Sequence, residues 1–188
     1  MKINNFGMTC SILAIFVTLA ACQSTPSRYK SSEAYEIDRK AKASLHKLLQ
    51  SNKDARNLQK NATAILVFPS ILKAGFGFGA QYGNGVLMKK GRTLGYYNSS
   101  AASYGFQAGI QGFGYALFFM DGGSLSYLNK SAGFELGVGP SLVVVGKGFG
   151  KVVSSTTLRK GIYAFVFDQK GLMGGAGIQG TKITRFIP

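Results

Sequence analysis

Side chains able to carry out acid, base, nucleophilic or metal chemistry are few in this chain of 188 residues. Cys10 and Cys22 are its two cysteines, and its single histidine, His46, stands among lysines. Seven acids are dispersed along the chain: Glu33, Glu36, Asp38, Asp54, Asp121, Glu135 and Asp168. Nucleophilic, zinc-dependent and two-carboxylate mechanisms each need partners that this set lacks. We therefore predict no enzyme activity, no catalytic residues, no metal and no cofactor.

Cys22 has a different chemistry available, set by what precedes it. Lys2, an apolar run at 12–17 and the small residues before Cys22 follow the order of a secretory signal, and the apolar run is too short to cross a bilayer. Leu19-Ala20-Ala21-Cys22 resembles the bacterial lipobox, whose thiol accepts a diacylglycerol before cleavage ahead of the cysteine. We predict a signal peptide at 1–21 and a lipidated Cys22. A cleaved, unanchored protein with an incidental cysteine is the alternative.

Gln23 bears on where the mature chain works. By resemblance to lipoprotein sorting in Gram-negative bacteria, a residue other than Asp after the lipidated cysteine favours the outer membrane. We expect a bacterial envelope lipoprotein, anchored at the outer membrane with its domain in the periplasm or at the surface. Because Cys10 leaves with the signal and Cys22 carries lipid, the domain keeps no free thiol and forms no disulfide.

The charge of the chain is far from balanced. Lysine and arginine number 22 against 7 acids, a net charge of +15, and loss of Lys2 with the signal leaves +14. A surface of this sign attracts anions such as lipid headgroups, acidic glycans or nucleic acid. A protein tethered at a membrane meets anionic lipid first, so we expect a phospholipid surface as partner and no nucleic acid.

The pattern after the signal predicts one domain behind a tether. Residues 22–32 are polar and form the lipidated cysteine and a flexible tether, and 33–188 form the domain. Helical spacing at 33–49 predicts an amphipathic helix, which could either lie on a membrane or pack its apolar stripe on the domain. Asp54 is predicted to cap a second helix ending near Lys60. The stripe consists of Ile37, Ala41, Leu45, Leu48 and Leu49.

Strand patterns dominate the rest of the domain. The run at 64–68 predicts a buried strand ended by Pro69, and the segment 75–79 alternates glycine with phenylalanine. The strands at 163–167 and 172–178 are predicted to form a hairpin, and 124–128 a short helix. We predict an α+β fold, in which an N-terminal amphipathic helix packs on a glycine-rich antiparallel sheet forming a closed or half-closed barrel. Turns are predicted at Asn84-Gly85, Lys90-Gly91, Asp121-Gly122-Gly123 and 168–171.

Six blocks of this region follow one another in a fixed order: VFPSILKAGFGFG at 67–79, GNGVL at 83–87, SYGFQAGIQ at 103–111, KGIY at 160–163, GL at 171–172 and GTKI at 180–183. In this order they resemble the SYLF-domain family of lipid-binding proteins. The resemblance covers nearly the whole chain from residue 33 onward. It implies binding of acidic phospholipids through basic residues and the N-terminal amphipathic segment, with no catalysis.

Two glycine-rich basic segments are the strongest candidates for contact with phosphate. Lys73 precedes the glycines of 75–79, and Lys147 and Lys151 flank the segment 148–150, so an ammonium and free backbone amides could meet one phosphate. Glycines that only shape a bend and a solvated loop are the alternatives. The predicted lipid-binding residues are Lys73, Lys89, Lys90, Arg92, Lys147 and Lys151, with Arg39 and Lys42 from the helix.

A second class of function fits the same charge. The chain could be a structural or adaptor lipoprotein that binds acidic envelope polymers, such as lipopolysaccharide phosphates, or a protein partner. Both functions predict salt-sensitive binding, and defined liposomes set against purified polymers separate them. A transmembrane barrel would also alternate glycine with aromatic residues, but the lysine-rich turns and the lipobox argue against it.

Overall fold

The computed structural model describes residues 31–128, 134–140, 150–152 and 161–188. Cys22 and Lys147 therefore lie outside the described residues. Three helices and five strands are described in this part of the chain. They are α1 (Ser32–Ser51), α2 (Lys53–Asn61), β1 (Ala64–Lys89), β2 (Arg92–Phe119), α3 (Gly122–Leu128), β3 (Phe134–Pro140), β4 (Gly150–Val152) and β5 (Ile162–Phe186).

The two predicted helices correspond to α1 and α2. Ser31 caps α1, since its Oγ accepts a hydrogen bond of 3.1 Å from the Ala34 amide. Asn52 ends α1 and caps α2, since its Oδ1 accepts a hydrogen bond of 2.9 Å from the Ala55 amide. The prediction that Asp54 is this cap is wrong, because Asp54 lies one residue inside the helix. A side-chain acceptor outside the first turn is what satisfies the free amides of a helix start.

The strands form an antiparallel sheet in the order β1-β2-β5-β3, with β4 also paired to β5. Helices and an antiparallel sheet together confirm the α+β class. In the described part of the chain β1 forms one edge of the sheet and β3 and β4 lie along β5 at the other, so this pairing does not close a barrel. The predicted hairpin at 163–178 is wrong. Tyr163 and Leu172 both belong to β5 and pair with Phe118 and Ile110 of β2.

β1 is far longer than an ordinary strand and folds back on itself. At Gly83 an added Cβ would lie 2.6 Å from the Ser70 carbonyl oxygen, so the second limb runs against the first at a distance that only glycine permits. The bend falls at the glycines of 75–79, where Gly77 has φ +69°. The turn predicted at Asn84-Gly85 is wrong, because these residues lie inside β1 opposite Asn98 and Tyr97.

Apolar side chains cover both faces of the sheet at its end nearest α1. On one face Ile65, Val67 and Phe118 pack against the buried side of α1. We call this the helix face. Three residues of the predicted stripe of α1, Ile37, Ala41 and Leu48, are buried on this face. The opposite, inner face carries a second core, which includes Leu66, Phe68, Ile71, Tyr97, Leu117, Phe119 and Ile183.

An irregularity at Pro69 decides which side chains of β1 face inward. The pairing of β1 with β2 shifts between Phe68 and Ile71, as expected where proline cannot donate to the ladder. Phe68 and Ile71 consequently share the inner core although they are three residues apart. Lys73 follows Ile71 on that same face.

Candidate functional site

Three exposed cations surround the turn that joins β1 to β2. Lys89 pairs with Arg92, leaving Lys90 and Gly91 as a two-residue turn with φ of +48° and +77°. Positive φ at both central positions is the turn geometry that matches the twist of a hairpin. The turn predicted at Lys90-Gly91 is thereby confirmed, and it projects Lys89, Lys90 and Arg92 into solvent.

A buried carboxylate joins α1 to this turn. Asp38 is almost fully buried, and the Thr93 hydroxyl donates a hydrogen bond of 2.9 Å to its Oδ1. Thr93 follows Arg92, and Lys42 lies one helical turn beyond Asp38 with its side chain exposed. The structure thus brings Lys42 of the helix to the same end of the molecule as the turn. We call Lys42, Lys89, Lys90 and Arg92 the basic end.

Arg39 lies beside the basic end but is partly engaged with an acid. Its Nη2 is 2.9 Å from Glu36 Oε2, and Lys40 Nζ is 3.6 Å from the same oxygen. The hydrogen bond from Arg39 lowers the pKa of the exposed Glu36 carboxyl. In the described residues no acid forms an ion pair with a member of the basic end, so its positive charge stays available to an anion.

Lys73 does not lie with the other predicted cations. Its side chain is only 3% exposed, and Nζ donates a hydrogen bond of 2.7 Å to Gln179 Oε1 of β5. Burial lowers the pKa of the Lys73 ammonium. The bulge at Pro69 turns this residue inward, a change of face that period-two reading of the sequence could not detect. A buried ammonium cannot touch a flat lipid surface while the sheet keeps this form.

Lys73 belongs to a set of polar side chains that continues the inner face past its apolar core. Gln179 also donates to Gln81 Oε1 at 3.3 Å, and Gln107 donates to Ser103 Oγ at 2.6 Å. Gln107 Oε1 finds no partner among the described residues. Sequence reasoning missed this set, although its members recur at even spacings within the strands. We call it the buried polar strip; it consists of the buried Lys73, Gln81, Ser103, Gln107 and Gln111, together with the half-buried Gln179.

The remaining predicted positions give no further cluster. Lys151 is the central residue of β4 and pairs with Phe165 of β5, whereas Lys147 lies outside the described residues. His46 is exposed on α1. Within the described ranges no three His, Cys, Asp or Glu side chains group as metal ligands. The arrangement there is one of cations and amides, suited to holding an anion by charge and hydrogen bonds.

Among the residues that the structure describes, no helix combines the length and the apolar composition needed to cross a bilayer. No protein-family model matches the chain, and no curated protein matches it.

Proposed function

We propose that the protein is a membrane-anchored lipoprotein that binds anionic phospholipid headgroups through its basic end. The observation that supports this most directly is the exposure of Lys42, Lys89, Lys90 and Arg92 at one end of the molecule, with no ion pair to the described acids. The helix–turn hydrogen bond between Asp38 and Thr93 holds the two contributing elements together. Arg39 adds to this surface where its contact with Glu36 opens.

The charge of the basic end is large enough to hold a tethered protein on an anionic membrane. Each Lys or Arg near an anionic membrane contributes about 1 kcal/mol, so four together supply about 4 kcal/mol, a millimolar affinity. Lipid on Cys22 would raise the local concentration to that order. The nine residues between Cys22 and Ser32 span at most about 30 Å when extended, so the basic end stays within reach of the surface.

The rest of the proposal follows the sequence. The bent β1 and the unclosed strand order favour a half-closed barrel with α1 as its amphipathic helix. The lipobox-like segment before Cys22 supports an envelope lipoprotein, and Gln23 after it favours the outer membrane. The order of the SYLF-like blocks supports lipid binding without catalysis.

The test uses the chain from Gln23 to Pro188, which lacks the anchor, and vesicles of phosphatidylcholine with or without phosphatidylglycerol. Charge reversal by Lys89→Glu with Arg92→Glu removes two attractions and adds repulsion. We expect it to weaken binding to anionic vesicles about 30-fold or more, from about 2 kcal/mol of lost attraction alone. Co-flotation at several salt concentrations measures this.

The matched control is Lys53→Glu with Lys60→Glu on α2, which changes the net charge equally at exposed positions. α2 begins about 20 Å along the helix axis from Asp38, beyond the Debye length of about 8 Å in physiological salt. Equal losses in both variants would mean that charge acts as a diffuse field and would refute the basic end. Equal binding to neutral vesicles, or binding only to purified lipopolysaccharide, would refute the phospholipid proposal and favour the adaptor function.

A further inference from the structure

Large apolar side chains project into solvent where β1 and β2 bend. Phe76 is 87% and Phe106 is 94% exposed, and both lie beside glycines with positive φ. Phe78 pairs with Tyr104 across the two strands, with ring centroids 4.9 Å apart. We call this surface the apolar tip; its members are Phe76, Phe78, Tyr104, Phe106, Ile110 and Leu172.

At the apolar tip the sheet has polar side chains on its inner face and apolar side chains on its outer face, the reverse of the usual arrangement. Behind it, the inner face carries the buried polar strip, with Lys73 opposite Gln111 in the strand register. In front of it, the outward positions of β1 and β2 carry alanine, aromatic and aliphatic residues. Between 72 and 82, and between 101 and 112, Lys73 is the only charged residue and it faces inward. Apolar outside and polar inside is the alternation of strands that face lipid hydrocarbon.

The residues in and around the apolar tip favour a lipid bilayer as its partner. Tyr104 within the tip and Tyr82 beside it are both exposed, and their hydroxyls can stay hydrated while the rings contact lipid. Lys170 is exposed on β5 two residues before Leu172, at the height of lipid phosphates if Leu172 enters the bilayer. Exposed phenyl rings bordered by tyrosine and lysine have the composition of a membrane interface, where these polar-tipped side chains flank the residues that face hydrocarbon.

We propose that the apolar tip inserts into the acyl-chain region of the bilayer to which the protein is anchored. The proposal rests on the membrane association proposed above and adds a second contact. Gly77, at the bend, is twelve residues from Lys89, about 40 Å of strand. The tip and the basic end are therefore separate contacts, one with hydrocarbon and one with headgroups, and both meet one bilayer when the strands lie along its surface.

A single-tryptophan experiment tests the two contacts separately, because the chain has no tryptophan. Phe106→Trp places a reporter on the apolar tip, and Leu94→Trp places one on an exposed site two residues from Arg92. The full-length lipidated chain, isolated from envelopes, is reconstituted into phosphatidylcholine vesicles with or without phosphatidylglycerol. Three sets of vesicles are prepared. One contains lipid brominated at mid-chain, one contains lipid with a spin label on its headgroup, and one contains no quencher.

We expect mid-chain bromine to quench the Phe106→Trp reporter at least twofold and leave the Leu94→Trp reporter unchanged. The headgroup label should quench the Leu94→Trp reporter only in anionic vesicles. Quenching of Leu94→Trp without quenching of Phe106→Trp by bromine would overturn tip insertion and leave the proposed function intact. Failure of the headgroup label to quench Leu94→Trp would count against the basic end instead, whatever the tip does.

A second variant excludes coverage of the apolar tip by protein. Phe106→Ser removes the most exposed ring and should leave the thermal unfolding midpoint of the chain within about 2 °C of the parent. Its loss should also reduce bromine quenching of a Phe76→Trp reporter at least twofold, because the tip then enters less deeply. A clear fall in the midpoint would show that another segment or a second copy buries the ring, which overturns the proposal.

Discussion

Replacing Lys73 by methionine tests whether this lysine is a structural residue of the sheet interior. Methionine keeps the length of the aliphatic side chain and removes the ammonium, together with the cost of burying it. Replacing a buried ion pair by apolar residues of similar volume is often neutral or stabilising by about 1–4 kcal/mol, and burying an ammonium that has no paired carboxylate costs more. We expect Lys73→Met to unfold at the same or higher urea concentration than the parent chain, and to bind anionic vesicles equally well.

A double-mutant cycle can measure the coupling free energy of the hydrogen bond from Lys73 to Gln179. Gln179→Leu alone leaves the Lys73 ammonium without the acceptor described above. In the Lys73→Met background there is no ammonium, so the same substitution removes no such hydrogen bond. The loss of the contacts from Gln179 to Gln81 and Thr181 is common to both backgrounds and cancels. Since hydrogen bonds to charged groups contribute about 1.5–3 kcal/mol, the free energies of unfolding should show a coupling of that size.

The pH dependence of stability gives an independent check. Burial lowers the pKa of Lys73, so the folded chain gives up this proton at a lower pH than the unfolded chain does. Between the folded pKa and about 10.4, the unfolded value, the unfolded state binds more protons, and the contribution of Lys73 to stability rises with pH. This rise should be absent from Lys73→Met. Urea unfolding followed by circular dichroism measures all four variants of the cycle.

Two results would refute the reasoning about Lys73. A coupling below about 0.5 kcal/mol would mean that the hydrogen bond to Gln179 is not formed in solution. Loss of vesicle binding in Lys73→Met without loss of stability would make Lys73 a lipid contact, as the sequence alone predicted.

Two further predictions concern the anchor and the bent sheet. Cys22→Ser should abolish labelling by a fatty-acid analogue and release the chain from the membrane fraction; unchanged labelling would disprove the anchor. Gly109→Ala should lower the free energy of unfolding by about 2–4 kcal/mol, because φ is +136° and a Cβ would lie 2.1 Å from the Leu172 carbonyl oxygen. Gly174→Ala, where a Cβ meets nothing within 4 Å, is its control and should change stability by less than about 0.5 kcal/mol. Equal losses in the two variants would contradict the close approach of β2 to β5.

Local chemistry was enough to predict several elements of the fold. α1 follows from a cap and a stripe of period 3.6, and the Lys90-Gly91 turn from a glycine between two strand patterns. The short helix after Asp121 was also predicted. The structure contains this helix, and a short-range contact fixes its start, since Asp121 Oδ1 accepts a hydrogen bond of 2.6 Å from the Ser124 amide. Each of these depends on residues within four positions of one another, so the sequence contains the whole interaction.

Only the tertiary structure decided where the strands bend and which face each side chain takes. Asn84-Gly85 has the composition of a turn, yet the close approach of Gly83 to Ser70 places it inside β1. Residues 168–171 also look like a hairpin turn, but β2 pairs with both sides of them and keeps β5 continuous. Lys73 has the sequence neighbours of a phosphate site, and the bulge at Pro69 turns it into the interior. A side chain in a strand alternates with period two, so one displaced residue exchanges inside for outside, and the displacement depends on a partner strand about 40 residues away in β2.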